Sequence, residues 1–194
     1  MGRTELFSTR LSGATLDAVA GDNDPPRQRG GRHDQLECDS PRAMTETPDT
    51  AELIAAARAA AVNAHAPYSR FAVGAALLMR DGSVLTGTNF ENASYGLSLC
   101  AETVAVAAAN AQGRLREIVA VAVTGGAMDE AGRMRGDAVV SPCGRCRQVL
   151  NEVAQLAGLD LPIHCAAAEG DAVATYRLSE LLPHAFGPAD LGIF

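Results

Sequence analysis

The sequence contains no tryptophan and no lysine, so all 16 of its basic residues are arginines. Its 194 residues carry a net charge of −7 at neutral pH, and the arginines form no continuous stripe. An acidic chain of this kind is a poor candidate for binding the negatively charged phosphate backbone of a nucleic acid. The sequence also lacks a run of about 18 or more apolar residues, so we expect no membrane span.

The N-terminus also lacks the short apolar core of a secretory signal, which favours a cytoplasmic protein. The five cysteines of such a chain stay reduced. In that setting a Cys-x-x-Cys motif binds a metal or does redox chemistry rather than forming a structural disulfide.

Residues 1–43 differ from the rest of the chain because they hold many Pro, Gly, Asp and Arg residues and few large apolar ones. This composition predicts a disordered N-terminal extension, with a weak helix over Leu6–Ala20 as its one regular stretch. Met44 is a second candidate for the natural start. We assign residues 44–194 to a single folded domain, which is long enough for a full hydrophobic core.

Apolar periodicity and turn signals divide this domain into alternating elements. We expect a helix opened by a capping box of Asp49 and Glu52, and a hairpin turning at Asp81 and Gly82. The predicted helices cover 49–62, 100–111 and 143–156, and the predicted strands cover 73–79, 84–90, 118–124, 161–167 and 173–176. A hairpin followed by alternating helices and strands predicts an α/β fold: a three-layer α/β/α sandwich with a mixed five-stranded sheet. The stretch 128–136 is expected to be a surface loop.

The pattern richest in chemistry is a split cysteine set. Its two parts are Cys100-Ala101-Glu102 and Pro142-Cys143-Gly144-Arg145-Cys146. Three thiolates are one ligand short of a closed zinc site, and catalytic zinc sites keep that fourth position for water. Both parts open predicted helices, whose positive ends favour thiolates. Glu102 is placed to move protons, so the pattern predicts hydrolytic chemistry.

Two other interpretations of the cysteines remain open at this point. One is a redox pair, and the other is a structural zinc site with a fourth ligand. The candidates for that fourth ligand are His65, His164, His184 and Cys165. Cys38 falls in the extension and is not expected to bind the metal. Three thiolates and one Zn²⁺ sum to a charge of −1, which either Arg145 or Arg147 could offset.

The two cysteine motifs resemble those of the zinc-dependent nucleobase deaminases, in which the glutamate is an acid/base and not a ligand. Within that group the chain closely resembles the small cytidine deaminases. Four segments between about 49 and 191 carry the likeness: 67–76, 89–95, the two cysteine motifs with the Arg-Gln pair that follows, and 181–188. The resemblance implies the cytidine-deaminase-like fold and a catalytic domain over residues 44–194.

The resemblance also implies an activity: deamination of cytidine and 2′-deoxycytidine to uridine and 2′-deoxyuridine, with release of ammonia, in pyrimidine salvage. One zinc ion per chain would be held by Cys100, Cys143 and Cys146. Glu102 would take a proton from a metal-activated water, pass it to N3 of the base, and then help to protonate the departing amine. The family's small form further implies a homotetramer with shared active sites.

Six substrate-binding residues are implied in the same way. Asn89 and Glu91 resemble the pair that binds the ribose hydroxyls, Phe71 the aromatic residue on the pyrimidine, and Ala101 the residue whose backbone contacts the base. Tyr95 and Phe186 resemble residues that reach a neighbouring subunit's site. Without the resemblance, core packing would be the simpler interpretation of both phenylalanines.

One departure from the family is Thr103, which stands where an arginine commonly follows the catalytic glutamate. Three rival functions are a deaminase of another small amine, such as a nucleoside antibiotic, a nucleic-acid editing deaminase, and a non-catalytic zinc protein. The acidic charge argues against editing, and the ribose pair argues for a free nucleoside.

Overall fold

The computed structural model describes residues 49–193. The predictions for residues 1–43, including the weak helix and Cys38, lie outside these residues, as does Met44. Within 49–193, no helix is long and apolar enough to cross a lipid bilayer.

Helices and strands alternate after an opening helix and hairpin. In chain order the elements are α1 Thr50–Ala61, β1 Phe71–Met79, β2 Val84–Thr88, α2 Ala101–Ala111, β3 Ile118–Met128, β4 Met134–Arg135, α3 Gly144–Ala157, β5 Pro162–Ala167, β6 Val173–Arg177 and α4 Leu178–Leu181. Single 3₁₀ turns cover Tyr95–Leu97, Leu115–Glu117 and Pro188–Leu191. The three long helices and five longer strands all fall where the sequence predicts them.

The sheet is mixed, as expected, with strand order β2-β1-β3-β5-β6. Only the β3–β5 pair is parallel among the pairings of this path, and the other three are antiparallel. A short sixth strand, β4, pairs with the end of β3 within the segment expected to be a loop. It forms because β3 runs on to Met128, four residues beyond its predicted end, and so presents free backbone groups to Met134 and Arg135.

Helices cover both faces of the sheet. On one face, Leu53, Ile54 and Ala57 of α1 pack against small side chains of β1, β3 and β5. On the other, α2 and α3 pack against the opposite side chains of the same strands, with Leu77, Val121 and Leu150 fully buried. Each large apolar side chain buried in this way contributes about 1.5–3 kcal/mol. The predicted three-layer α/β/α sandwich is confirmed.

Two local predictions, the hairpin turn and the capping box of α1, can be compared with the structure. At the hairpin, Gly82 has a φ of 85° and Asp81 Oδ1 accepts the Ser83 backbone N–H at 2.9 Å, so the turn forms as predicted. At the start of α1 the expected capping box is wrong, because Asp49 makes no side-chain capping bond. The helix begins there nevertheless, since its apolar face is held by the sheet.

Candidate active site

The three cysteines of the split set meet where two helices begin. Cys100 directly precedes α2, Cys143 directly precedes α3, and Cys146 lies in the first turn of α3. Their sulfur atoms all lie within 4.8 Å of one another, and the sulfurs of Cys100 and Cys143 are 3.8 Å apart. Tetrahedral zinc with bonds of about 2.3 Å places its sulfur ligands about 3.8 Å apart. The donor set therefore fits zinc.

No fourth ligand belongs to this group among residues 49–193. His65 instead stacks on Phe90 with ring centroids 5.5 Å apart, and Nδ1 of His164 lies 2.9 Å from the Thr175 hydroxyl. Cys165 is fully buried in β5 and belongs to the hydrophobic core. The group thus has the composition of an open site rather than of a closed structural one.

Charge and hydrogen bonding favour a thiolate at Cys100. Donation from the Cys146 thiol lowers the pKa of Cys100 to about 6, with smaller contributions from Cys143 and the Arg145 charge. The same interaction raises the pKa of Cys146. Arg145 Nη1 donates to the Ser98 carbonyl at 3.4 Å, whereas Arg147 donates to the carbonyls of Pro142 and Leu181. Of the two candidate arginines, Arg145 is therefore the one whose charge favours the thiolate at Cys100.

Glu102 lies in the first turn of α2 and is almost completely buried, with 3% of its surface exposed. Burial raises the pKa of its carboxyl group, because the ionised form is poorly solvated there. A first-turn acid that only complements the helix dipole would lie at the surface. The buried position of Glu102 beside the cysteine cluster and its raised pKa instead suit a group that exchanges protons with a substrate.

A cavity of about 320 Å³ brings most of the predicted site residues together. Its walls include Phe71, Asn89, Glu91, Cys100, Ala101, Glu102 and Cys143. The other six lining residues, which are not among the predicted site residues, are Val73, Ser98, Leu99, Val123, Val140 and Ser141. Small polar and aliphatic residues carry no chemical signal, and only the fold brings these four separate segments to one wall.

Gly87 of β2 sets how closely α2 approaches this cavity. A β-carbon at this position would come within 2.5 Å of both the Ala101 carbonyl oxygen and the Ala105 nitrogen. Real side chains do not reach backbone atoms so closely, so the first turn of α2 can lie here only above a glycine. The positions of Cys100 and Glu102 therefore depend on a residue in another element.

Residues 48–156 match the family model described as the cytidine and deoxycytidylate deaminase zinc-binding region. The chain belongs to this deaminase family. A cytidine deaminase of Halalkalibacterium halodurans is 46% identical over 143 residues, which cover 74% of this chain and 98% of the relative. A cytidine deaminase of Mycobacterium tuberculosis H37Rv is also 46% identical, over 68% of this chain and 85% of the relative.

Solved structures agree. The crystal structure of a cytidine deaminase from Burkholderia pseudomallei shares 43% identity and a TM-score of 0.59, covering 71% of this chain and 98% of that one. The cytidine deaminase of Mycobacterium tuberculosis gives 43% identity and a TM-score of 0.54, over 72% and 98% of the two chains. The predicted family, its fold and its zinc dependence are confirmed.

The two residues expected to bind ribose in this deaminase already have protein partners. Asn89 Oδ1 accepts the Val73 backbone N–H, and its Nδ2 donates to the Phe71 carbonyl, both at 2.9 Å. Glu91 Oε2 accepts the backbone N–H groups of Tyr68 and Ser69. Hydrogen bonds from Ser69 and Tyr68 lower the pKa of Glu91, so it is ionised at neutral pH. Each side chain keeps some bonding capacity for a ligand.

Tyr95 and Phe186 do not line the 320 Å³ cavity of this deaminase chain. Tyr95 is 73% exposed and packs edge-on against Tyr68 beside an adjoining cavity that also contacts Glu91. Phe186 is 61% exposed, and its carbonyl accepts bonds from the amides of Gln148 and Asn151. Phe71 is 38% exposed at the cavity wall, so neither phenylalanine is a core residue.

Proposed function

We propose that this chain deaminates cytidine and 2′-deoxycytidine hydrolytically to uridine and 2′-deoxyuridine, releasing ammonia. In chemical terms it is a hydrolase acting on the exocyclic C–N bond of a cyclic amidine. The observation that carries the proposal is the shared cavity: one space is lined by sulfurs of the metal cluster, the buried Glu102, and the pair Asn89 and Glu91. A metal, a proton carrier and polar groups suited to a sugar are what this reaction requires.

Cys100, Cys143 and Cys146 would hold one zinc ion per chain. When bound, zinc supplies a Lewis acid that lowers the pKa of its water towards about 7. The helix starts at α2 and α3 stabilise the negative sulfurs with their free N–H groups and positive ends. Arg145 adds a full positive charge that favours the Cys100 thiolate.

Glu102 is assigned the proton transfers. It takes a proton from the attacking water, delivers it to N3 of the pyrimidine, and then helps to protonate the departing amine. Burial raises the pKa of this carboxyl group above that of an exposed glutamate, which makes it a stronger base for these transfers. Its burial also excludes bulk water that would compete for the same protons.

The substrate-binding roles follow from the hydrogen-bond donors, acceptors and ring surface that each residue does not use within the protein. Asn89 has a second amide N–H and Glu91 has further lone pairs, so the two can share the ribose hydroxyls. The Phe71 ring at the cavity wall can pack on the pyrimidine, and the backbone of Ala101 can bond to the base edge. A site that bonds a hydroxyl also rejects analogues that lack it.

The assembly we propose is a homotetramer with shared active sites. An exposed group of large apolar residues flanks the site, and they are Tyr68, Phe90, Tyr95, Leu97 and Leu99. Tyr68 packs against Tyr95, and Phe90 pairs with Leu99, and exposed apolar residues grouped in this way are characteristic of a contact with another chain. Tyr95 and Phe186 would then complete the site of a neighbouring subunit. We place the enzyme in the cytoplasm, where the cluster thiols stay reduced, and in pyrimidine salvage.

The decisive experiment adds cytidine to the purified protein and follows ultraviolet absorbance and ammonia release, with and without a zinc chelator. We expect turnover that the chelator abolishes and that added zinc restores. A zinc-loaded protein that leaves cytidine and 2′-deoxycytidine unchanged would overturn the proposal. The same assay with a panel of amino-substituted nucleosides, including nucleoside antibiotics, tests the nearest rival. Salt-dependent binding to single strands would instead favour an editing enzyme.

A further inference from the structure

Thr103 follows Glu102 in the first turn of α2, and its hydroxyl group contacts one of the three clustered cysteines. Its Oγ1 lies 3.8 Å from Sγ of Cys146, which is within hydrogen-bonding range for sulfur. Cys146 belongs to α3 and is completely buried, and Thr103 is half-buried. The contact therefore joins the first turns of the two helices that carry the metal ligands.

The direction of this hydrogen bond is fixed once a metal is present. A thiol that coordinates a metal is deprotonated and has no proton to donate. A threonine hydroxyl has one proton to donate and two lone pairs. With zinc bound, the hydroxyl of Thr103 is thus the donor and the thiolate of Cys146 is the acceptor.

Such a donor has a specific effect on a site with three thiolates. The three negative sulfurs and Zn²⁺ sum to −1, and electron donation from sulfur makes the metal a weaker Lewis acid. A hydrogen bond to one sulfur draws electron density away from the metal. The groups that bond to metal ligands also hold those ligands in place, and removing one typically lowers metal affinity or activity 10–100-fold.

We propose that Thr103 is a positioning residue that donates a hydrogen bond to the Cys146 thiolate, fixing this ligand and limiting its electron donation to zinc. Arg145 directly precedes Cys146 in α3 and donates to the Ser98 carbonyl, so it brings a positive charge to the same part of the molecule. The influence of Thr103 on turnover rests on the proposed function, whereas its influence on the metal does not.

The test compares Thr103→Val, which keeps the shape and removes the donor, with Thr103→Ser, which keeps the hydroxyl. Each variant is loaded with Co²⁺, and the sulfur-to-cobalt charge-transfer absorption is recorded. We expect Thr103→Val to shift this band to lower energy, because the sulfur becomes a better electron donor. We expect Thr103→Ser to keep the wild-type band.

Metal release gives a second measurement that needs no substrate. Zinc transfer to a chromogenic chelator should be about tenfold faster from Thr103→Val than from the wild type, and close to wild type from Thr103→Ser. Thr88→Val is a matched control, since Thr88 is also half-buried and its hydroxyl donates to the Val73 carbonyl rather than to a sulfur. It should leave both measurements unchanged.

A wild-type band and a wild-type release rate in Thr103→Val would overturn the proposal, and so would equal changes in the valine and serine variants. If Thr103→Val fails to fold, Thr103→Ala repeats the test with a smaller side chain that also lacks the donor. Both measurements are made on protein that has met no nucleoside. A failure here is therefore distinct from a failure to deaminate cytidine.

Discussion

Oε2 of Glu91 accepts a hydrogen bond from the backbone N–H of Tyr68 at 2.9 Å. The same oxygen accepts the N–H of Ser69, so one carboxylate orders the chain just before β1 while it lines the cavity. An ionised carboxylate has about four acceptor sites. Glu91 can therefore support the site and bind a substrate hydroxyl at the same time.

Replacing this carboxylate with an amide, in Glu91→Gln, should weaken substrate binding. A hydrogen bond to a charged group contributes about 1.5–3 kcal/mol, so we expect kcat/KM for cytidine to fall about 10–100-fold. Steady-state kinetics with cytidine and an analogue lacking the 2′- and 3′-hydroxyls measures this, and the preference for cytidine should shrink. Glu117→Gln, which loses an ion pair to Arg114 away from the cavity, is the control. Unchanged preference in Glu91→Gln would remove the ribose assignment.

Glu102→Gln should nearly abolish turnover and keep the metal. General acid–base catalysis accounts for about 10²–10⁴ in rate, and the amide can neither accept nor deliver the protons. Zinc content by atomic absorption should stay at one ion per chain, because Glu102 is not one of the three clustered ligands. Wild-type turnover in this variant would show that another group moves the protons.

The same substitution should stabilise the metal-free protein above about pH 5. Burial raises the folded-state pKa of Glu102, so folding is penalised wherever the unfolded chain would lose this proton. The penalty is absent below the unfolded pKa of about 4.3, grows as pH rises towards the folded pKa, and is complete above it. Thermal unfolding of chelator-treated wild type and Glu102→Gln should coincide near pH 4 and separate at pH 7, with the variant melting higher.

Cysteine substitutions should separate ligands from the core thiol. Cys143→Ser removes one of the three clustered sulfurs and should lower the zinc content well below one per chain, with loss of activity. Cys165→Ala removes a thiol that is buried in β5 but stands outside the cluster. It should keep stoichiometric zinc and lose only some stability from the small cavity it leaves. Zinc loss in Cys165→Ala would point to a different ligand set.

Subunit mixing tests whether active sites are shared. Phe186→Ala keeps its own Glu102 and should be slow, while Glu102→Gln is inactive but keeps Phe186. Refolding the two together should give more activity than the average of the two alone, because mixed assemblies combine an intact Glu102 with an intact Phe186. The control mixes Phe186→Ala with a double variant that carries both Glu102→Gln and Phe186→Ala. No subunit in that mixture has an intact Phe186, so no mixed assembly can restore activity. Equal activity in both mixtures would place Phe186 in its own subunit's site or outside any site.

The strongest sequence signals were those with a fixed chemical meaning. The spacing of Cys100 and Glu102 and the Cys143–Cys146 motif predict a metal cluster, and the structure confirms that the three sulfurs meet. Apolar runs likewise predict β1, β3 and β5, since strands buried on both faces read as continuous apolar sequence. These features depend on residues that are close together in the sequence or chemically distinctive.

What escaped prediction depends on contacts between distant segments. The strand β4 is only two residues long and exists because β3 extends beside it. The contact of Thr103 with Cys146 and the preference for Arg145 over Arg147 both require the angle between α2 and α3, which no spacing rule provides. The hydrogen bonds of Asn89 to β1 could not be predicted from the sequence either, because their partners are backbone groups that every residue carries.

The close contact of Gly87 with α2 limits which amino acids can occupy position 87. In a library of all amino acids at that position, even alanine would displace the first turn of α2. The sulfur of Cys100 and the carboxyl group of Glu102, more than a dozen residues further along the chain, would move with it. Nearly all surviving clones should therefore encode glycine. Selection for activity acts on Gly87 as strongly as on a ligand, although it contributes no atom to the reaction.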